Sequence, residues 1–482
     1  MKRFCYIFVP LILVMLLAAG ACRKKKNNGD DVPPPPPPPK SSVKTINSFV
    51  ITAVDNSTIT PMDISGLVGS DTITVTFDEG ISLVNVIPTI GFSGISVSPQ
   101  NRTPQNFSTP LSYTVMAEDS STKRYYIKVN LVRANTAVYV GSDDRNLYAI
   151  NASTGTLLWK YTTGGGIQSS PVVKDGTVYF GSIDTYLYAV NATTGTLKWR
   201  YKTDYAISNQ SPVLGGDAVF ISSSAGYPVG NVYAVDTATG LLKWKSSGIP
   251  LPYGPVYAEG KVFVCSFPAG CSAYDAATGT TVWNVPGGIA KCNPAYYNGK
   301  IYFCGEGTFY CVNAGNGSTV WTKGNMLPSP SSPTINNGVL YCGSGNYMVA
   351  MDPATGTELW RRQSNGGVSG SGPGTFSSPF VAGSIIYADN NDSYFYALRT
   401  TDGTNIWTKG TSVLASGVTM GNPTVANGVV FVGRYDNYIY AFDALTGTQR
   451  WKYLTNAAVQ SGPCVADSRG EVYCSGISGV TN

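Results

Sequence analysis

Apolar and polar residues alternate in short runs along much of the chain. Thr72-Ile73-Thr74-Val75-Thr76-Phe77 and Tyr125-Tyr126-Ile127-Lys128-Val129-Asn130-Leu131 repeat with a period of two, which places every second side chain on one face of a pleated strand. Further on, runs such as Val178-Tyr179-Phe180-Gly181 and Ile439-Tyr440-Ala441-Phe442 are β-branched and aromatic and are bounded by turn residues. These are strand signals. Together they predict an all-β chain.

From about residue 137 the pattern repeats itself at intervals of 38 to 47 residues, a period that belongs to propeller blades or solenoids. All eight tryptophans occupy one place in it: Trp159, Trp199, Trp244, Trp283, Trp321, Trp360, Trp407 and Trp451. Most follow a turn of the form Asn/Asp-Ala-x-Thr-Gly, such as Asn151-Ala152-Ser153-Thr154-Gly155, with looser versions at Asn313 to Gly317 and Arg399 to Gly403. The glycine supplies the positive φ that ends the hairpin. Each repeat also carries a proline at the start of a strand, where a missing N–H costs least: Pro171, Pro212, Pro255, Pro294, Pro333, Pro379, Pro423 and Pro463. Eight prolines and eight tryptophans predict eight four-stranded blades, with strand A at the proline and strand D ending at the tryptophan.

The two ends predict how the ring closes. The first repeat starts at strand B, Ala137-Val138-Tyr139-Val140-Gly141, while a last strand A at Pro463 follows the eighth tryptophan. The ends must share a blade. Glu471 to Ser475 then form a surplus B-like strand competing with Val138 to Gly141, and the sequence leaves open which one pairs.

Composition narrows the chemistry. Hydrophobic residues make up 43%, enough for packed cores, and 54 glycines with 31 tyrosines and only 13% charged residues favour strands and tight turns. The net charge of +5 is carried by residues 1–40, where seven basic residues face two acidic ones, so the body is neutral and lacks a nucleic-acid footprint. There is no histidine. That removes a Ser-His-Asp triad, a Cys-His dyad, an HExxH zinc site and a CxxCH haem attachment.

The N-terminus reads as a signal peptide, residues 1–21. Lys2 and Arg3 precede an apolar run from Ile7 to Leu17, followed by Ala19-Gly20-Ala21-Cys22. The last four residues resemble the lipobox of bacterial lipoproteins, with Ala19 where leucine is usual. That resemblance implies lipid attachment, palmitate among the acyl chains, at Cys22 of a Gram-negative outer-membrane lipoprotein; an ordinary secretory signal is the alternative. Seven prolines, Pro33 to Pro39, lie in a linker over 22–41 and form a polyproline spacer of about 3.1 Å per residue.

Residues 42–133 predict a small β-sandwich. Asn106-Phe107-Ser108, Leu111 to Val115 and Ala117-Glu118-Asp119-Ser120-Ser121-Thr122-Lys123 resemble the Ig-like domains of Gram-negative surface lipoproteins, which serve mainly as spacers. Residues 137–482 resemble the PQQ-type (quinoprotein-type) propeller repeats, including the BamB-type lipoproteins of the β-barrel assembly machinery. In that family the tryptophans dock neighbouring blades, and strands A to D run from the central channel outward.

The resemblance implies either a non-catalytic scaffold or a quinoprotein dehydrogenase with PQQ, calcium and often an adjacent-cysteine disulfide. No Cys-Cys pair occurs here, so a PQQ and calcium enzyme is the weaker reading and no cofactor, metal or catalytic residue is expected. Cys265 with Cys271, Cys304 with Cys311, and Cys464 with Cys474 fall on facing strands and are candidates for disulfides, or for buried small residues where blade two has Gly181.

Loop length points to one face. The A-to-B turns are uniform, as in Lys174-Asp175-Gly176, whereas the D-to-A loops after Trp360 and Trp407 and the Ala225-Gly226-Tyr227-Pro228-Val229-Gly230 loop of blade three vary. Function collects on variable loops held by a rigid frame. The candidate binding-face residues are Tyr186, Tyr347, Tyr394, Arg434, Tyr435 and Tyr438, with Tyr205, Tyr253 and Asp436 nearby. The expected partner is a protein or a glycan, bound by a monomer tethered to the membrane.

Overall fold

A computed structural model describes residues 39–57, 59, 63–78, 81–132, 136–286, 292–305, 307–326, 331–364, 375–390, 392, 394–410, 421–466 and 472–474. The signal, Cys22 and Pro33 to Pro38 lie outside these, as do much of the loops after Trp360 and Trp407 and residues Glu471 and Ser475. No helix among the described residues is long and apolar enough to cross a membrane.

The N-terminal unit is a sandwich of two sheets. One orders Ile64–Ser65, Thr45–Ile51 and Pro88–Ser93; the other orders Leu67–Val68, Thr72–Asp78, Thr122–Val132, Ser112–Met116 and Ser96–Ser98. The period-two pattern predicts which side chains turn inward. Ile73, Val75 and Phe77 are fully buried and meet Phe49, Phe107, Tyr113 and Tyr125 in one cluster. Thr72–Asp78 and Thr122–Val132 run parallel to each other, a pairing that alternation alone does not reveal.

The remaining strands form eight sheets. Each A strand is three residues long and begins at the residue after its proline: Val172–Lys174, Val213–Gly215, Val256–Ala258, Ala295–Tyr297, Thr334–Asn336, Phe380–Ala382, Thr424–Ala426 and Cys464–Ala466. Each of these lies beside the next around a closed ring. Strands B and C, such as Thr177–Gly181 and Tyr186–Asn191 of blade two, are buried almost throughout because a blade packs on either side. Strand D is the outer edge. It carries lysine or arginine in every blade but the fourth, as in Leu197–Lys202, which discourages pairing with another chain.

The tryptophans join the blades, as the repeat predicts. Every indole N–H donates to a carbonyl of the following blade: Trp159 to Ala192, Trp199 to Thr237, Trp244 to Ala276, Trp283 to Ala314, Trp321 to Pro353, Trp360 to Thr400, Trp407 to Ala444 and Trp451 to Ala152. The turn glycine has a second reason to be glycine. Gly195 has φ +70° and lies on the Trp159 ring, where a Cβ would come within 2.5 Å. Strand-B tyrosines reinforce the joint: the hydroxyls of Tyr139, Tyr302 and Tyr387 donate to the same carbonyls as Trp159, Trp321 and Trp407. The spacing of the tryptophans does not disclose these partners.

Closure is resolved without competition. Ala137–Gly141 takes the B position on one edge of Cys464–Ala466, and Val472–Cys474 pairs with the other edge. Blade one therefore has a fifth strand on the axis side, in contact with the A strands of blades eight and two. The Cys464–Cys474 disulfide ties that strand to strand A.

Candidate functional site

Strand direction alternates, so the B-to-C and D-to-A connections emerge on one face and the A-to-B and C-to-D turns on the other. Most hairpins of the A-to-B face have two successive residues of positive φ, as at Asp175-Gly176, Asn337-Gly338 and Asn427-Gly428. Mirror-image turns of this kind match the twist of the strands. On the opposite face an aspartate closes several B-to-C turns: Asp144, Asp184 and Asp436 each accept a backbone N–H and the hydroxyl of Tyr148, Tyr188 or Tyr440. Asp392 does the same with Tyr394 and Tyr396. Asp436 is thus part of its turn's frame.

Tyr186, Tyr347, Tyr394 and Tyr438 share one register position, the first residue of strand C, and all are half-buried. A cation from strand D covers three of them: Arg200 lies 4.6 Å from the Tyr186 ring, Arg361 5.4 Å from Tyr347 and Lys452 4.2 Å from Tyr438. These are diagonal cross-strand neighbours, whose side chains reach each other on one face of the sheet. The four rings therefore sit in four blades, each engaged within its own. Tyr205 and Tyr253 lie in D-to-A loops, half-buried, and burial pushes the Tyr253 hydroxyl up to about 12.

Arg434 is not on the surface. Only 7% exposed, its Nη2 lies 3.3 Å from Oδ1 of the fully buried Asp389, bridging blades eight and seven. The reason lies in the repeat. Asp389 stands where blades one, two and eight have Gly141, Gly181 and Gly433, and the guanidinium answers the carboxylate that this exchange buries. Asp389 Oδ2, Arg434 Nη1 and the amide nitrogen of buried Asn390 have no hydrogen-bond partner. Aligning strand B of the repeats could have flagged Asp389, because it breaks the small-residue rule at that position.

Burial raises Asp389 to about 6 despite Arg434, and this sets a pH dependence. In the unfolded chain the carboxyl ionises near its ordinary value, so between about pH 4 and 6 the folded state holds more protons. Its stabilising contribution is complete below pH 4 and is lost as pH rises through 6. The wild type should therefore lose stability relative to Asp389→Asn between pH 4 and 7, by up to about 3 kcal/mol. Parallel denaturant titrations of both proteins check this. A pH-independent difference would contradict it.

The exposed aromatic of the propeller's loop face is elsewhere. Blade three has the longest hairpin among the described residues, strand B Ala218–Gly226 and strand C Val229–Asp236. Its tip carries Tyr227, 64% exposed, beside Val229 at 38%. The Tyr227 ring meets Phe267, from the B-to-C turn of blade four, edge-on at 6.0 Å. Two aromatic rings brought together from neighbouring blades offer a contact surface at low entropy cost. Tyr227 was visible in the sequence only as part of an unusually long loop.

The PQQ and calcium chemistry implied by the repeat family can be tested against these residues. Among the described residues the one disulfide joins residues ten apart and closes the fifth strand against the ring of A strands, so it is not the adjacent-cysteine kind. Among the described residues no three acidic, cysteine or histidine side chains converge as metal ligands.

Residues 46–129 match the family model described as SGBP, N-terminal. Solved structures of similar fold include BamB from Moraxella catarrhalis, with 20% identity over 64% of this chain and 88% of that one and a TM-score of 0.50. AztD from Citrobacter koseri has 12% identity over 70% and 100% of the two chains, with a TM-score of 0.55. At these identities the likeness concerns the fold. The chain matches no curated protein. A family model described as outer membrane protein assembly factor BamB matches in overlapping segments, 128–323, 228–388, 305–421 and 344–475. The eight-sheet ring with its tryptophan joints is the architecture of those repeats, and the chain belongs to this PQQ-repeat, BamB-type family.

Proposed function

We propose that this protein is a non-catalytic interaction scaffold, exported and held at the outer membrane by acylated Cys22, whose propeller docks a protein partner through the loop face. The observation that carries the reading is the exposed Tyr227 at the tip of the blade-three hairpin, set against the half-buried Phe267 of blade four on the face where loops vary. The assembly-factor description of the family supports a protein partner. The absence of histidine supports a non-catalytic role, and reconstitution with PQQ and calcium tests the dehydrogenase alternative.

Capture of solubilised outer-membrane proteins by the full chain provides the binding assay. Replacing Tyr227 and Phe267 with alanine should weaken capture about 10- to 100-fold, the usual effect of losing aromatic anchors, with the thermal midpoint little changed. Asp175→Lys, on the uniform face, should leave capture intact. Loss of capture with Asp175→Lys but not with the aromatic variants would reassign the face. The Tyr435→Ala and Tyr438→Ala pair reports on blade eight in the same assay. A glycan array with the same variants separates a carbohydrate ligand, the second reading, which the match to the SGBP N-terminal model favours.

Anchoring has its own measurement. Wild type should partition into the detergent phase and Cys22→Ser into the aqueous phase, because in this reading the acyl chains on Cys22 are what hold the protein to the membrane. Equal partitioning would remove the anchor from this reading.

A further inference from the structure

Blades one, two and six share a small device at the loop-face end of strand B. A serine in the D-to-A loop accepts a hydrogen bond from the backbone N–H of a glycine at the end of strand B: Ser461 from Gly141 of blade one across the closure, and Ser169 from Gly181 and Ser331 from Gly343, each twelve residues later, within blades two and six. Blade five keeps the geometry and changes both residues. Cys292 stands in the serine position and Cys304 in the glycine position. The Cys304 N–H points at Cys292 Sγ at 3.2 Å, and the two sulfur atoms are 3.0 Å apart. Cys304 does not face Cys311, the partner its spacing suggested. It pairs across the ladder with Phe309, and Cys311 pairs with Tyr302.

We propose that Cys292 and Cys304 form a second disulfide, a redox-sensitive clamp that fastens the loop between blades four and five to strand B of blade five. Bringing the sulfurs to bonding distance requires a movement of about 1 Å. The Cys464–Cys474 disulfide places the chain in an oxidising compartment, where such neighbours close. Cys265 and Cys271 are also register partners, but they lie within one hairpin and would tie nothing new together.

The electron acceptor is the disulfide of a protein thiol oxidoreductase. One cysteine thiolate attacks it to give a mixed disulfide, and the second displaces the oxidoreductase's sulfur. Cys292 and Cys304 together lose two electrons and two protons, and the oxidoreductase leaves as a dithiol. The hydrogen bond to the Cys292 thiol, together with burial, holds the Cys304 thiol well above its ordinary value, so attack by the folded protein is slow and closure belongs to folding. The clamp holds a loop on the same face as Phe267, which makes the shape of that face depend on redox state.

The test uses the full chain extracted from membranes in detergent. It is denatured, blocked with N-ethylmaleimide, digested without reductant and mapped by mass spectrometry. The expected result is a linked peptide pair containing Cys292 and Cys304 that separates on reduction. Alkylation of both residues in unreduced protein would overturn the proposal. The double variant Cys292→Ser, Cys304→Gly restores the pair used by blades one, two and six and should fold. Dithiothreitol should lower the thermal midpoint of the wild type by several degrees more than that of the variant, since both keep Cys464–Cys474. Equal shifts would also overturn it.

Discussion

Truncating the chain before Pro463 should destabilise the propeller as a whole rather than fray one blade. Strand A of blade one would be gone, and with it the pairing of Val465 with Val138 across 327 residues of sequence. Ala137–Gly141 would become an open edge with every residue previously buried, and an exposed apolar edge invites association with other chains. Val465, fully buried, accounts for about 2–3 kcal/mol. Loss of the disulfide loop adds roughly 3 kcal/mol. A fall in midpoint on the order of 10 °C is expected, with aggregation on heating. Replacing Cys464 and Cys474 by alanine retains the strand and should cost clearly less. Calorimetry of the three proteins decides the matter. An unchanged midpoint after truncation would mean that the ring closes by another route.

Trp451→Ala should be the most damaging of the eight tryptophan substitutions. Trp451 is nine-tenths buried, lies tilted against Phe431 at 5.8 Å and donates to the Ala152 carbonyl at 2.8 Å, 299 residues away. It also supports the turn at Gly155, whose Cα faces its ring. Truncating such a side chain costs about 3–5 kcal/mol through lost burial and the cavity left behind. Trp451→Phe keeps most of the packing and strands one carbonyl, a loss of about 1–3 kcal/mol. The ratio of the two, measured by urea unfolding, separates packing from the hydrogen bond. Equal losses would mean that the carbonyl contact dominates. Trp159→Ala, at a joint between consecutive blades and more exposed, should cost less because the chain itself still links those blades.

Much of the architecture was legible in the chain because its determinants are local and repeated. Proline opens each A strand for a reason internal to the backbone, the missing donor. Tryptophan and the turn glycine recur at one interval because each blade meets its neighbour in the same way, so a tertiary contact made eight times leaves a mark in one dimension. The alternation in Thr72–Phe77 likewise stated which face would be buried. The choice of the uniform and variable faces followed from loop lengths alone, since strand direction must alternate.

What only the tertiary structure decided are the matters in which different repeats meet or one repeat departs from the rest. Strand A of the closing blade has two edges, and only the space inside the ring shows that Ala137–Gly141 and Val472–Cys474 take one each. Arg434 looked like a surface residue beside Tyr435 until Asp389, 45 residues earlier, proved to be the charge it answers. The half-buried tyrosines of strand C looked like a platform until the cations of strand D covered three of them. Cys304 pointed in sequence to Cys311 but lies against Cys292, because the strand register is set by hydrogen bonds and not by the spacing of like residues. The chain thus determined by itself its class, its repeat and its joints. Pairing between distant segments depended on the ring, because a contact between two unlike residues, made once, has no periodicity to reveal it.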